Sequence, residues 1–239
     1  MASRIIDKSV GCLMDLLAPP RCHGCEARVA VGPLCASCVA ALPWNADACR
    51  SCGLPLAGAP PALARACGAC LTRSPPQDSS WAAFVYRTPV SRQIVGLKFH
   101  GRLAPALVLG ALMAQRLALR PQPLPELLIP VPLHAARLRR RGYNQALELG
   151  REISRRLSIA LQPAAAMRRR ATGEQTRLEA AARRRNVRGA FEVAASVRGR
   201  HIALLDDVVT TGATVAELAA AARRAGAARI EVWAAARVA

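Results

Sequence analysis

Lysine is almost missing from this chain. Lys8 and Lys98 are the only two, so nearly all of the 34 basic residues are arginines. A compositional bias of the coding DNA exchanges Lys for Arg but creates no surplus of positive charge. Acids are also scarce, 15 in all, and the net charge is +19. That surplus points to polyanionic ligands, either nucleic acid or phosphorylated small molecules. Aromatic residues make up 3% of the chain. Few rings are therefore available for stacking bases, and any nucleic-acid contact would run mostly to phosphates and depend steeply on salt. No stretch of ~18 clean apolar residues occurs, which argues against a transmembrane segment. The amphipathic opening helix expected at 3–17 is broken by Asp7, Lys8 and Asp15 and lacks a signal-peptide core. A soluble cytoplasmic protein is the expectation, with the opening helix packed on its own domain.

Cysteine, by contrast, is abundant and patterned. Eight of the nine fall into four C-x-x-C pairs: Cys22/Cys25, Cys35/Cys38, Cys49/Cys52 and Cys67/Cys70. Four thiolates saturate a tetrahedral Zn²⁺ and leave no open position, so two structural zinc sites are expected. In chain order they would be Cys22, Cys25, Cys35, Cys38 and Cys49, Cys52, Cys67, Cys70. A cross-braced pairing satisfies the same spacing. The module is poor in large apolar residues, so metal would supply its folding energy. A disulfide framework would need an oxidising compartment, and nothing in the chain exports it. Cys12 reads as a small buried apolar residue.

With 239 residues, the chain has room for one α/β domain and a small accessory module. The expected organisation is an N-terminal helix (1–19), a double zinc ribbon (20–73), a Pro- and Ser-rich linker (74–80) and a main domain (81–239). In the main domain, strands are expected at 81–86, 127–130, 164–167, 190–193, 202–205 and 229–233. Helices are expected at 89–97, 103–119 and 144–157. This alternation argues for a doubly wound, mostly parallel sheet.

The most specific segment begins at Ile202. Ile202, Ala203, Leu204 and Leu205 are apolar on both faces, as in a central parallel strand. Asp206 and Asp207 follow, at the end of a strand where α/β sheets bind ligands. Thr210, Thr211, Gly212, Ala213 and Thr214 then open a helix, whose N–H groups and hydroxyls can cradle an anion. Two carboxylates for a diol beside a cradle for one phosphate describe a ribose 5-phosphate site. A plain helix cap would need one Asp, not two with three threonines around a glycine. A P-loop is excluded, because no Gly-Lys-Ser/Thr is present.

Further landmarks surround this segment. Val131, Pro132 and Leu133, followed by His134, make a turn directly after a strand, able to offer N–H groups to a pyrophosphate. Residues 137–145 form a cationic loop that includes Arg141, with Asn144 placed to cap the next helix. Lys98 precedes Phe99, His100 and Gly101. Residues 168–188 are polar and basic, as a mobile lid would be. Each has a plainer reading, since basic runs are usually solvated faces.

The segment from Ile202 to Thr214 resembles the phosphoribosyl pyrophosphate (PRPP) motif of type I phosphoribosyltransferases. Taken with the Cys pairs, residues 97–101, 131–134 and 140–145, Gln175, Thr176 and residues 184–186, the chain resembles the competence protein F (ComF) family of phosphoribosyltransferase-like proteins. The resemblance implies a PRPP site with Mg²⁺, in which Asp206 and Asp207 hold the ribose hydroxyls as the catalytic pair. Thr210, Thr211, Gly212, Ala213 and Thr214 would take the 5-phosphate. Val131, Pro132, Leu133, Lys98 and Arg141 would face the pyrophosphate. It also implies an association with DNA uptake in natural transformation, and so with single-stranded DNA and DNA-uptake proteins as partners. The alternative is a non-catalytic module that binds single-stranded DNA or regulates, on a retained PRPP-site scaffold. From 137 to 200 arginines outnumber acids seventeen to five, which is the feature that favours it.

Overall fold

A computed structural model describes residues 21–29, 32–56, 66–99, 101–170 and 187–239. The helix expected at 3–17, Cys12, His100, Gln175, Thr176 and most of the expected lid lie outside them. The chain divides into two compact units, Met1–Leu42 and Pro43–Ala239. In the first, an Arg21–Arg28 bridge closes one knuckle and a short helix, α1 (Ala36–Ala40), carries Cys38.

The second unit is built on a parallel five-stranded sheet. Its strands are β1 (Ser79–Val85), β2 (Leu127–Pro130), β3 (Ala160–Leu161), β6 (His201–Val209) and β7 (Arg229–Arg237). Their order is β1-β7-β6-β2-β3, and every pairing is parallel. A separate antiparallel pair joins β4 (Ala166–Arg168) to β5 (Phe191–Val193). The helices are α2 (Gly68–Thr72), α3 (Val90–Phe99), α4 (Ala104–Ala118), α5 (Ala135–Arg141), α6 (Gln145–Leu157) and α7 (Ala213–Arg224).

Helices cover both faces of the sheet because β6 and β7 are apolar on both sides. Ile202, Leu204, Ile230 and Val232 form one core with Val215, Leu218 and Ala222 of α7. Leu205 faces the other way, toward α6. A Cβ on Gly150 would lie 3.3 Å from its Cδ2. Helices α4 and α6 approach each other just as closely at Gly110, where a Cβ would fall 2.9 Å from that of Glu152. The expected α/β class and parallel sheet are therefore what the chain adopts.

Three local expectations change. Residues 137–141 are not a loop but the body of α5. Its first turn is capped by His134, whose Nδ1 accepts from Ala136 N, and it ends at Gly142 with φ of 84°. Strand β3 had no counterpart among the expected strands. Strand β1 starts at Ser79, inside the expected linker, and that segment is bonded to the second cysteine knuckle. Gln77 Nε2 and Ser80 Oγ both donate to Ser51 O, and Ser80 N donates to Arg50 O at 2.7 Å.

Candidate functional site

Each group of four cysteines brings its sulfurs together in chain order. In Cys22, Cys25, Cys35, Cys38 and again in Cys49, Cys52, Cys67, Cys70, all four sulfurs lie within 4.8 Å of one another. The sequential pairing holds and the cross-braced one does not.

Electrostatics fits a cation at each centre. Backbone N–H groups, that of Cys35 foremost, pull the Cys22 thiol down to about 6. Burial works against ionisation of Cys49, but N–H groups of Cys67, Cys52 and Ser51 outweigh it and lower its thiol to about 7. Cys38 and Cys52 are penalised instead. The Cys22 sulfur pushes Cys38 up to about 12, and burial raises Cys52 to about 11. One thiolate per cluster forms readily and the next is repelled, which is the donor set that a soft divalent cation resolves. Four sulfurs leave such an ion no open position, so its role there is structural.

The carboxylate site lies at the carboxyl edge of the sheet. Strand β6 delivers Asp206 and Asp207, and its last residue, Val209, leads into the turn before α7. Gly212 occupies the N-cap with φ of 77°, a conformation that favours glycine. Thr211 Oγ1 accepts from Ala213 N at 3.4 Å. Asp206, Val208, Val209 and residues 210–215 line a small, partly open hollow. At the start of a twelve-residue helix, such a turn collects unpaired N–H groups and the positive end of the helix dipole.

The two acids differ. Asp207 is buried and pairs with Lys98 Nζ at 3.0 Å. Its Oδ1 accepts from Val208 N at 2.8 Å. Asp206 Oδ1 accepts from Asp207 N at 2.9 Å. Burial, followed by the neighbouring Asp207 charge, pushes Asp206 up to about 7, while Lys98 pulls the other way.

Neighbouring elements complete the surroundings. Val131 N donates to Leu205 O at 2.8 Å, so the 131–133 turn leaves the sheet beside β6. Asn144 Nδ2 secures that turn through Val131 O at 2.9 Å, while its Oδ1 caps α6. Tyr143 donates to Leu97 O and ties α3 to the same turn region. Arg168, at the end of β4, is half-buried. Burial lowers its guanidinium, the charge of Arg137 adds to that, and Asp206 opposes it, so all three share one electrostatic neighbourhood. Arg141 Nη1 donates to Gln145 Oε1 at 2.8 Å and its guanidinium lies over the Phe99 ring. Sequence inspection passed over one buried residue at this edge, Arg237, which bonds to the carbonyls of Val209 and Thr210. A basic residue at the end of a strand, directly before the last two positions, is too weak a signal to single out.

A parallel α/β domain with an Asp-Asp pair beside a threonine- and glycine-bearing turn, in one chain with two four-cysteine clusters, defines the molecule's class. Residues 13–71 match the double zinc ribbon domain family. The whole chain is 36% identical over 224 residues to DNA utilization protein YhgH of Salmonella typhi, covering 91% of this chain and 97% of that one. It is 34% identical over 225 residues to competence protein F of Haemophilus influenzae, covering 90% of each. The chain belongs to the family of these two proteins. Among solved structures it is similar to glutamine PRPP amidotransferase from B. subtilis, at 20% identity and a TM-score of 0.38. That likeness covers 54% of this chain and spans about a quarter, 26%, of the other. Among the described residues no helix is long and apolar enough to cross a membrane.

Proposed function

We propose that this chain binds PRPP with Mg²⁺ at the carboxyl edge of β6, and that it serves the handling of incoming DNA. The observation that carries the first part is that Asp206 lines one hollow together with the 210–214 turn, with Asp207 next to it in β6 and paired with Lys98. The names of its relatives, a DNA utilization protein and a competence protein, support the second part.

In this arrangement Asp206 and Asp207 accept from the ribose 2- and 3-hydroxyls. Thr210, Thr211, Thr214 and the first N–H groups of α7 hold the 5-phosphate. The 131–133 turn and Lys98 face the pyrophosphate, and Lys98 exchanges its bond to Asp207 for the incoming anion. Arg137 and Arg168 add positive potential on the same side. Mg²⁺ arriving with the substrate would be held near Asp206 and Asp207 and would supply neutralisation of the pyrophosphate charge. If transfer occurs, the C1–O bond breaks through a cationic sugar, and the chain's work is positioning and electrostatics. Calorimetric titration of PRPP with Mg²⁺ tests the proposal. Saturable binding by the parent protein, weakened at least 100-fold by Asp206→Asn with Asp207→Asn, is expected. Equal affinity in both proteins would refute it.

A second reading has its own support. Arg139 and Arg140 are exposed on α5, on a chain of net charge +19. Contact with single-stranded DNA through phosphates would then use this helix. Affinity for a single-stranded oligonucleotide should fall steeply between ~50 and ~200 mM salt, and more gently after Arg139→Ala with Arg140→Ala. An affinity indifferent to salt would remove this reading.

A further inference from the structure

Arg237 is the last residue of β7. It is 7% exposed; among the described residues no carboxylate pairs with it, and the ionisable groups beside it are the thiols of Cys52, Cys67 and Cys49. Its guanidinium spends its donors on backbone carbonyls from three segments. Nε donates to Cys52 O at 3.3 Å. Nη1 donates to Val238 O at 2.7 Å and to Val209 O at 3.3 Å, and it also reaches Thr210 O. One of these segments belongs to the second cysteine cluster. Another is the first residue of the anion-cradling turn. The side chain therefore joins a metal knuckle to the residue from which the turn departs.

Both ends of this bridge are held by independent bonds. On the knuckle side, Gly53 N donates to Cys49 O at 2.7 Å and Cys67 N donates to Cys49 Sγ at 3.3 Å. In the same loop, Asn45 Nδ2 donates to Gly53 O at 2.9 Å. On the sheet side, Val238 N donates to Val209 O at 3.0 Å, and Arg237 stands in register with Val209. Carbonyls at the end of a strand have no further ladder partner, and leaving several of them buried and unpaired is costly. A planar fork with five N–H donors can serve several at once, which an ammonium cannot.

We propose that Arg237 is a positioning residue that makes the second zinc site a clamp on the phosphate turn. Metal held by Cys49, Cys52, Cys67 and Cys70 fixes the Cys52 carbonyl. Arg237 carries that constraint to Thr210, and the turn holds its anion-binding shape before ligand arrives. Loss of this metal then weakens anion binding without touching any residue that contacts the anion. The inference deepens the PRPP reading and rests on it for the identity of the ligand.

The test uses the full chain with Arg237→Met and Arg237→Lys. Zinc content, PRPP–Mg²⁺ affinity and amide hydrogen exchange across 209–215 are measured together. Arg237→Met should weaken PRPP at least tenfold and speed exchange in 209–215, while exchange in β2 and α6 keeps parent rates. Arg237→Lys should recover part of both effects. Cys67→Ser, which opens the second cluster, should produce the same local change, whereas Cys22→Ser should not. Parent-like affinity and exchange in Arg237→Met would overturn the clamp, and so would acceleration spread evenly over the whole domain. Should Arg237→Met fail to fold, the comparison of Cys67→Ser with Cys22→Ser decides by the same criterion. If the parent protein ignores PRPP, the PRPP reading fails, and the exchange measurements still decide the clamp.

Discussion

The two ends of the parallel sheet hold acids of opposite character. At the carboxyl edge, Asp206 and Asp207 sit side by side with Lys98 as the partner of one. At the amino end, Glu231 is 1% exposed and surrounded by donors. Arg120 grips it with two bonds, of 2.6 and 2.9 Å, and Trp233 Nε1 donates at 2.9 Å. His201 and Arg229 lie at 3.0 and 3.2 Å. Burial alone would favour the protonated acid, but Arg120 and Trp233 prevail and hold Glu231 below the usual carboxylate range. Asp206 is instead pushed up to about 7. A buried acid with every oxygen matched is structural. Among the described residues Asp206, crowded by a like charge, has no such set of donors.

The largest effect that would sharpen this contrast is on stability. Glu231→Ala leaves the largely buried Arg120 guanidinium without its partner carboxylate, and should cost about 3–5 kcal/mol in urea unfolding. PRPP affinity, measured where the variant is folded, should stay near that of the parent. Asp207→Asn should do the reverse. Stability stays within about 1 kcal/mol of the parent, because the substitution also removes repulsion on Asp206, while PRPP binding is lost. If Asp207→Asn unfolded the protein, the two ends would not differ as described.

The smallest expected effect is a dependence on pH. A carboxyl whose folded value is raised favours the protonated state, so its contribution falls as pH rises from near 4 to about 7. Lys98 and Asp207, with Arg168 from β4, are the charged groups that face Asp206. Glu231 has the opposite sign: its contribution is present above the ordinary glutamate value and is lost as pH falls below it. Unfolding followed from pH 3 to 8 should show both limbs. Asp206→Asn should flatten only the upper one. Ligand binding at pH 6 should release a proton, to be read by calorimetry in buffers of different ionisation heat.

The ends of the sheet were not equally legible in the sequence. The segment from Ile202 to Thr214 announces itself, because an apolar run, two acids and a hydroxyl-rich turn are contiguous. The cysteine pairs do the same, although only the fold chooses the sequential pairing. Helix α6 was readable from its period and its Asn144 cap. Glu231 could not be foreseen, since Arg120 lies 111 residues away in the chain. Helix α5 looked like a loop because its seven residues carry four arginines and little apolar pattern. Strand β7 reads as ending near Trp233, since the alanines that follow have weak strand preference. It continues because β1 and β6 bury it from both sides. Arg237 acquires meaning only through that extension.

Phosphorus-31 NMR of PRPP with Mg²⁺ tests the central claim most directly, because the 5-phosphate and the pyrophosphate give separate resonances. Addition of the parent protein should shift or broaden both. Thr211→Val with Thr214→Val should abolish the 5-phosphate response first. A 5-phosphate resonance that the parent protein leaves unchanged, or that responds equally in the threonine variant, would contradict the account.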